Sequence, residues 1–221
     1  MRLSILLTSF LFATAVWGQT SVDRIMEKAT CDCITHLLDT EKNEENAFNK
    51  CFIKSVGRDT ILIKNECQKL YGDTSAATSY KFGNDFFKRN SVNLIYTCEA
   101  YFKLLDSTRY EQINLLNKDS IQSSITSLNM TNSNTWDKGF LVKRGLFYFA
   151  LADYVNAQKD FDSALTLDPN SLQSIYFKAW IFEIRKGYDN AIKLYSSLAT
   201  VTKMNDFNIF AAIAKRKKSS L

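Results

Sequence analysis

The chain has 221 residues, with one proline, seven glycines, one histidine and a formal charge of +5. A single histidine removes most catalytic triads, dyads and metallohydrolase arrangements unless His36 itself serves. The modest charge includes a closing basic run, Lys215–Lys218, without interleaved aromatics, so nothing marks a nucleic-acid binder.

Met1–Gly18 carries one basic residue, Arg2, and then an apolar run from Leu3 to Trp17. The run is shorter than the ~20 residues needed to span a bilayer. Val16 and Gly18 are small at the positions a signal peptidase reads, so residues 1–18 are expected to be a secretory leader, cut to leave Gln19. No cysteine follows for lipid attachment, and no later segment is apolar for long enough to cross a membrane. Loss of Arg2 leaves 27 basic against 23 acidic residues in an exported chain.

The rest, poor in proline and glycine, reads as an all-α protein. Residues 19–118 form a first, cysteine-containing helical part. Helix one is predicted over Val22–Leu38, with Val22, Ile25, Met26, Ala29, Cys33 and Leu37 as its stripe. Helix two covers Glu44–Val56, with Ala47, Phe48, Cys51 and Phe52 inward. Helix three runs from Thr60 to a stop at Gly72. Helix four is placed at Thr74–Arg89 with Phe82, Phe86 and Phe87. Helix five starts at Ser91, with Leu94, Cys98, Tyr101, Phe102 and Leu105 on one face. Residues 119–136, rich in Ser, Thr and Asn, read as a short helix (Ile121, Ile125, Leu128) and a linker.

Five cysteines, Cys31, Cys33, Cys51, Cys67 and Cys98, allow at most two bridges and one free thiol. In an exported protein pairing is the default. Cys31 and Cys33 lie about 200° apart around a helix, so they need different partners. A bridge from Cys33 to Cys51 or Cys98 is expected; Cys67 is either free or the partner of Cys31. Cys31-x-Cys33-x-x-His36 has metal-ligand residue types, but zinc sites favour C-x-x-C pairs on turns, so no metal and no cofactor is implied. Gly57, Gly72 and Gly83 stand alone, with no phosphate-binding loop, and Glu41–Glu45 reads as a solvated turn. No catalytic constellation emerges. Cys31-Asp-Cys33-Ile34, Cys51-Phe-Ile and Cys98 with the aromatics after it are similar to the N-terminal regions of exported Bacteroidetes-type proteins. That resemblance implies no activity.

Residues 137–205 contain two 34-residue units, Lys138–Ser171 and Leu172–Asn205, that match at spaced positions. Gly145 falls on Ala179, Tyr148 on Phe182, Tyr154 on Tyr188, Ala157 on Ala191 and Phe161 on Tyr195. Such a period marks stacked helical hairpins. With Ala164 and Pro169, the first unit resembles a tetratricopeptide repeat. The second departs at Leu198 and Lys203, and both depart at Leu141/Ile175 and Arg144/Lys178.

The resemblance implies a superhelix whose concave face binds a protein or peptide. The family's inward offsets fall on Gly139, Val142, Leu146, Phe149, Gln173, Tyr176, Trp180 and Glu183. Residues 206–221 form a closing helix and basic tail, Asp206–Lys217 being helical and presenting Phe207 and Phe210. The groove is apolar, which favours a partner helix or apolar peptide over a carboxylate clamp. Two arrangements stand: an open groove, or one filled by the rest of the chain, since two repeats are fewer than the three usually needed alone. The functional expectation is a non-enzymatic adaptor or assembly factor of the cell envelope. The alternatives are a structural subunit whose groove is filled internally or by self-association, and a thiol redox or metal protein centred on Cys31, Cys33 and His36.

Overall fold

A computed structural model describes residues 21–40, 47–58, 60–130 and 136–221. The expected leader, the start of helix two and residues 131–135 of the linker lie outside the described residues. Those residues hold eleven α-helices and no strand. No described helix is long and apolar enough to cross a membrane.

The first part comprises α1 (Ser21–Thr40), α2 (Ala47–Arg58), α3 (Thr60–Tyr71), α4 (Ala76–Thr97) and α5 (Glu99–Asn114). Val22, Met26, Thr30 and Ile34 form the buried stripe of α1 at the spacing of one helical turn. This stripe is rotated from the expected one: Ile25 is 45% exposed, whereas Asp23 and Glu27 are buried. The acids turn inward because α4 supplies partners. Arg89 donates to Asp23 at 3.1 Å and Asn93 to Glu27 at 3.0 Å. Gly72, in the left-handed region at φ 70°, ends α3 by donating to Gln68 O.

The expected break between helices four and five is displaced. Helix five is expected to start at Ser91, yet α4 runs through Asn90 and Ser91 to Thr97. Asn90 Nδ2 donates back to Phe86 O, and Ser91 Oγ accepts from Asn205 at 2.7 Å. The chain breaks at Cys98 instead. Its backbone is extended, and its Sγ accepts the Tyr101 N–H as the N-cap of α5.

Two disulfides staple these helices: Cys31–Cys98 and Cys33–Cys51, with Cα–Cα distances of 5.7 and 5.4 Å. The closed loops of 67 and 18 residues correspond, by chain entropy, to roughly 4 and 3 kcal/mol. Cys67 joins neither bridge. It lies in a separate core with Val22, Met26, Ile63, Phe82 and Phe86.

After α6 (Lys118–Asn129) come two helical hairpins, α7 (Lys138–Ala150) with α8 (Tyr154–Leu167), and α9 (Leu172–Ile184) with α10 (Tyr188–Thr202). The sequence period reappears in the backbone. Ala152 and Lys186, one repeat apart, both have φ 61°. After each, Asp153 N donates to Tyr148 O and Gly187 N to Phe182 O. Both turns therefore end their helices with the same left-handed cap, using residues that carry a Cβ. Within the first hairpin the helices cross at Gly145, where an added Cβ would lie 2.8 Å from Phe161 Cε1.

The last helix, α11 (Asn205–Ser219), does more than cover the second hairpin. Ile209, Ala212 and Ile213 share one core with Ile34, Cys51, Leu94, Ile95, Cys98 and Tyr101. Nor is Lys215–Lys218 a wholly solvated end. Arg216 donates to Ile95 O and Glu99, and Lys217 turns inward to Glu183 and Asp106.

Candidate functional site

The large apolar residues among the positions assigned to the concave face come from three helices. Val142, Leu146 and Phe149 lie on α7, Tyr176 and Trp180 on α9, and Phe207 and Phe210 on α11. Val142, Phe149 and Trp180 are buried, at 8%, 3% and 4% exposure. Leu146, Tyr176, Phe207 and Phe210 are half-buried. They divide among three cores. Val142 packs with Leu141 and Ala164, Phe149 and Trp180 with Phe161 and Ile181, and Tyr176, Phe207 and Phe210 against Tyr195.

What covers the centre of this face is α5. Tyr110 meets the Trp180 ring edge-on at 5.5 Å, and Ile113 packs on the same core. Phe149 also packs on Trp180, its ring centroid 5.0 Å away. The Arg109 guanidinium lies 5.1 Å from the Trp180 ring and 4.7 Å from Phe210, an arrangement that attracts a cation to the ring faces.

Arg109 also carries the electrostatics of the site. It is 9% exposed and makes a two-pronged pair with Glu183 of α9, at 2.8 and 3.3 Å. Tyr195 OH donates to Glu183 at 3.0 Å, while Lys217 Nζ bridges Glu183 (2.9 Å) and Asp106 (2.5 Å). Burial pushes the Glu183 carboxyl up, but Arg109 and Lys217 outweigh it and hold the group below its ordinary value. Burial likewise pulls Lys217 down, and Glu183 and Asp106 overcome it, so its ammonium is held more firmly than usual. The two cations and two carboxylates bind α5, α9 and α11 into one junction. A buried pair of this kind is costly to break, because the surviving charge is left without its partner. Trp180 Nε1 and Arg109 Nε, both buried, donate to no group among the described residues.

A second feature lies between α7 and α8, a cleft of about 520 Å³ lined by Trp136, Arg144, Tyr148, Lys159, Ser163 and Leu167 among others. Arg144 is fixed there by Asp160 at 2.6 and 2.8 Å, and lies 4.0 Å from the Trp136 ring. This explains an unusual position in the repeat. The arginine where the resemblance expects leucine is paired within its own hairpin, and the equivalent Lys178 pairs with Asp162.

Cys31 and Cys33 are each consumed by a bridge. Cys67 is a buried thiol that burial pushes above its ordinary value. His36 stands exposed on α1. The structure therefore does not gather these residues into one centre. Sequence reasoning missed Arg109 and Asp106; their i,i+3 pair at 3.3 Å has the spacing of an ordinary surface pair, and Glu183 and Lys217, which complete the junction, lie far along the chain.

Comparison with protein-family models, curated proteins and solved structures finds no match.

Proposed function

We propose that this chain is an exported, non-enzymatic structural or assembly protein of the cell envelope, built on a tetratricopeptide-like pair of hairpins whose concave face is occupied by its own α5. The observation that carries this reading is the seating of Arg109, Tyr110 and Ile113 against Trp180 and Glu183. It is the helix-in-groove mode of recognition used within one molecule. The two disulfides and the lack of a membrane-spanning helix among the described residues are compatible with an exported protein. With the concave face engaged, a protein partner meets the outer surface, and the cleft beside Arg144 and Lys159 is the concavity offered to it.

The test is site-specific photo-crosslinking in the expressing cell. A probe at Lys159 is expected to trap one defined envelope protein, whereas probes at Tyr176 on α9 and at exposed Ile61 on α3 do not. A defined adduct from Tyr176 with none from Lys159 would overturn the reading in favour of an adaptor with an open groove. The unpartnered donors of Trp180 and Arg109 favour that second reading, since a peptide carbonyl would satisfy them.

A further inference from the structure

The two disulfides are not equivalent. In each, one sulfur belongs to a half-buried residue (Cys31, Cys33) and the other to a buried one (Cys98, Cys51). Residue exposure alone therefore does not separate them, the α1 cysteine being the more exposed member of either bridge. The departing sulfurs differ. Cys51 lies a turn inside α2, whereas Cys98 stands between two helices, its Sγ 3.4 Å from the Tyr101 N–H at the head of α5. A thiolate there gains the unpaired N–H groups and the positive end of a 16-residue helix. Glu99 beside it opposes a new negative charge, but that carboxylate is matched by Arg216 and Lys103.

The same corner carries the C-terminal helix. Cys98, Ile95 and Tyr101 share a core with Ile209, Ala212 and Ile213 of α11. Arg216 of α11 straddles the break, donating to Ile95 O on one side and to Glu99 on the other, with its guanidinium 4.3 Å from the Phe102 ring. The Cys31–Cys98 bridge thus ties to α1 the corner on which α11 docks.

The geometry points to Cys31–Cys98 as a redox clasp: a dithiol reductant opens this bridge ahead of Cys33–Cys51, and opening it loosens α11 from the first five helices. One thiolate of the reductant attacks Cys31 Sγ. The S–S bond breaks, and its electron pair leaves on Cys98 Sγ at the α5 N-terminus. The second thiolate of the reductant then attacks its own sulfur in the mixed disulfide. Cys31 is released as a thiolate that takes a proton from water, and the reductant leaves as its cyclic disulfide. The bridge gains two electrons and the dithiol loses two. A more acidic leaving thiol departs faster, so the bridge that releases Cys98 exchanges first.

This inference is independent of what occupies the concave face. The experiment uses the intact oxidised protein with limiting dithiothreitol under native conditions, followed by acid quench, alkylation after unfolding and peptide mapping. Cys31 and Cys98 are expected to become alkylatable several-fold faster than Cys33 and Cys51. With glutathione, the first mixed disulfide is expected on Cys31. Hydrogen exchange of the α11 amides is expected to speed up in the partly reduced protein and in a Cys31→Ala/Cys98→Ser variant. It stays unchanged in Cys33→Ala/Cys51→Ser. Equal rates for the two bridges, earlier loss of Cys33–Cys51, a first adduct on Cys98, or unchanged α11 exchange after selective opening would each overturn the proposal. The rate comparison uses the native chain and does not depend on the variants folding.

Discussion

Replacing Arg109 by alanine tests how firmly α5 is held against the second hairpin. The side chain is 8% exposed and its partner Glu183 is fully buried. Breaking such a pair by removing one member costs about 3–5 kcal/mol. Here Lys217 remains 2.9 Å from Glu183, so the carboxylate is not wholly orphaned and the lower end, about 3 kcal/mol, applies. For a domain of this size that corresponds to a fall in Tm of about 6–12 °C. A double-mutant cycle of Arg109→Met with Glu183→Gln, read by urea unfolding, isolates the pair and should return a coupling of about 1.5–3 kcal/mol. The exposed pair Lys28–Asp32 is the control, and Lys28→Ala should change stability by no more than about 0.5 kcal/mol. A loss below about 1 kcal/mol for Arg109→Ala, or a coupling near zero, would refute the argument that this junction joins α5 to the repeats.

Further predictions concern the repeats and pH. Lys186→Gly should stabilise the fold by about 0.5–1 kcal/mol in chemical denaturation, because glycine removes the left-handed Cβ penalty but loses more backbone entropy. Gly145→Ala should instead destabilise by about 1–2 kcal/mol despite alanine's better helix propensity. The added methyl meets the edge of Phe161, a fully buried ring with little room to move. Glu183 has a folded value below its unfolded value near 4.5, so its contribution is full above that pH and is lost as pH falls through the folded value. Stability measured from pH 7 downward should therefore fall more steeply in the native protein than in Glu183→Gln. An equally steep acid limb in that variant would contradict the assignment.

The hairpins were legible because their chemistry is local. Small residues at Gly145, Ala157, Ala179 and Ala191 set close crossings, and aromatic residues fill the space beside them. The turns themselves hid their geometry, since Ala152 and Lys186 take a conformation usually marked by glycine. The α4–α5 break was expected at Ser91 rather than Cys98, because a disulfide sulfur is an unusual cap and its pairing with Cys31 is not local. The inward face of α1 was read from apolar residues alone, which left Asp23 and Glu27 on the wrong side. Their burial depends on Arg89 and Asn93, 66 residues away. The repeat offsets put Glu183 on the expected concave face, but Arg109 is 74 residues distant and no spacing rule connects the two.

The occupancy of the concave face is tested most directly by the emission of Trp180, in a protein with Trp17 and Trp136 replaced by phenylalanine and shown to be monomeric by sedimentation. At 4% exposure, beneath Tyr110 and Phe149, the indole should emit at short wavelength and resist iodide. Red-shifted emission readily quenched by iodide in the monomer would mean that α5 does not sit on this face, and would contradict the account.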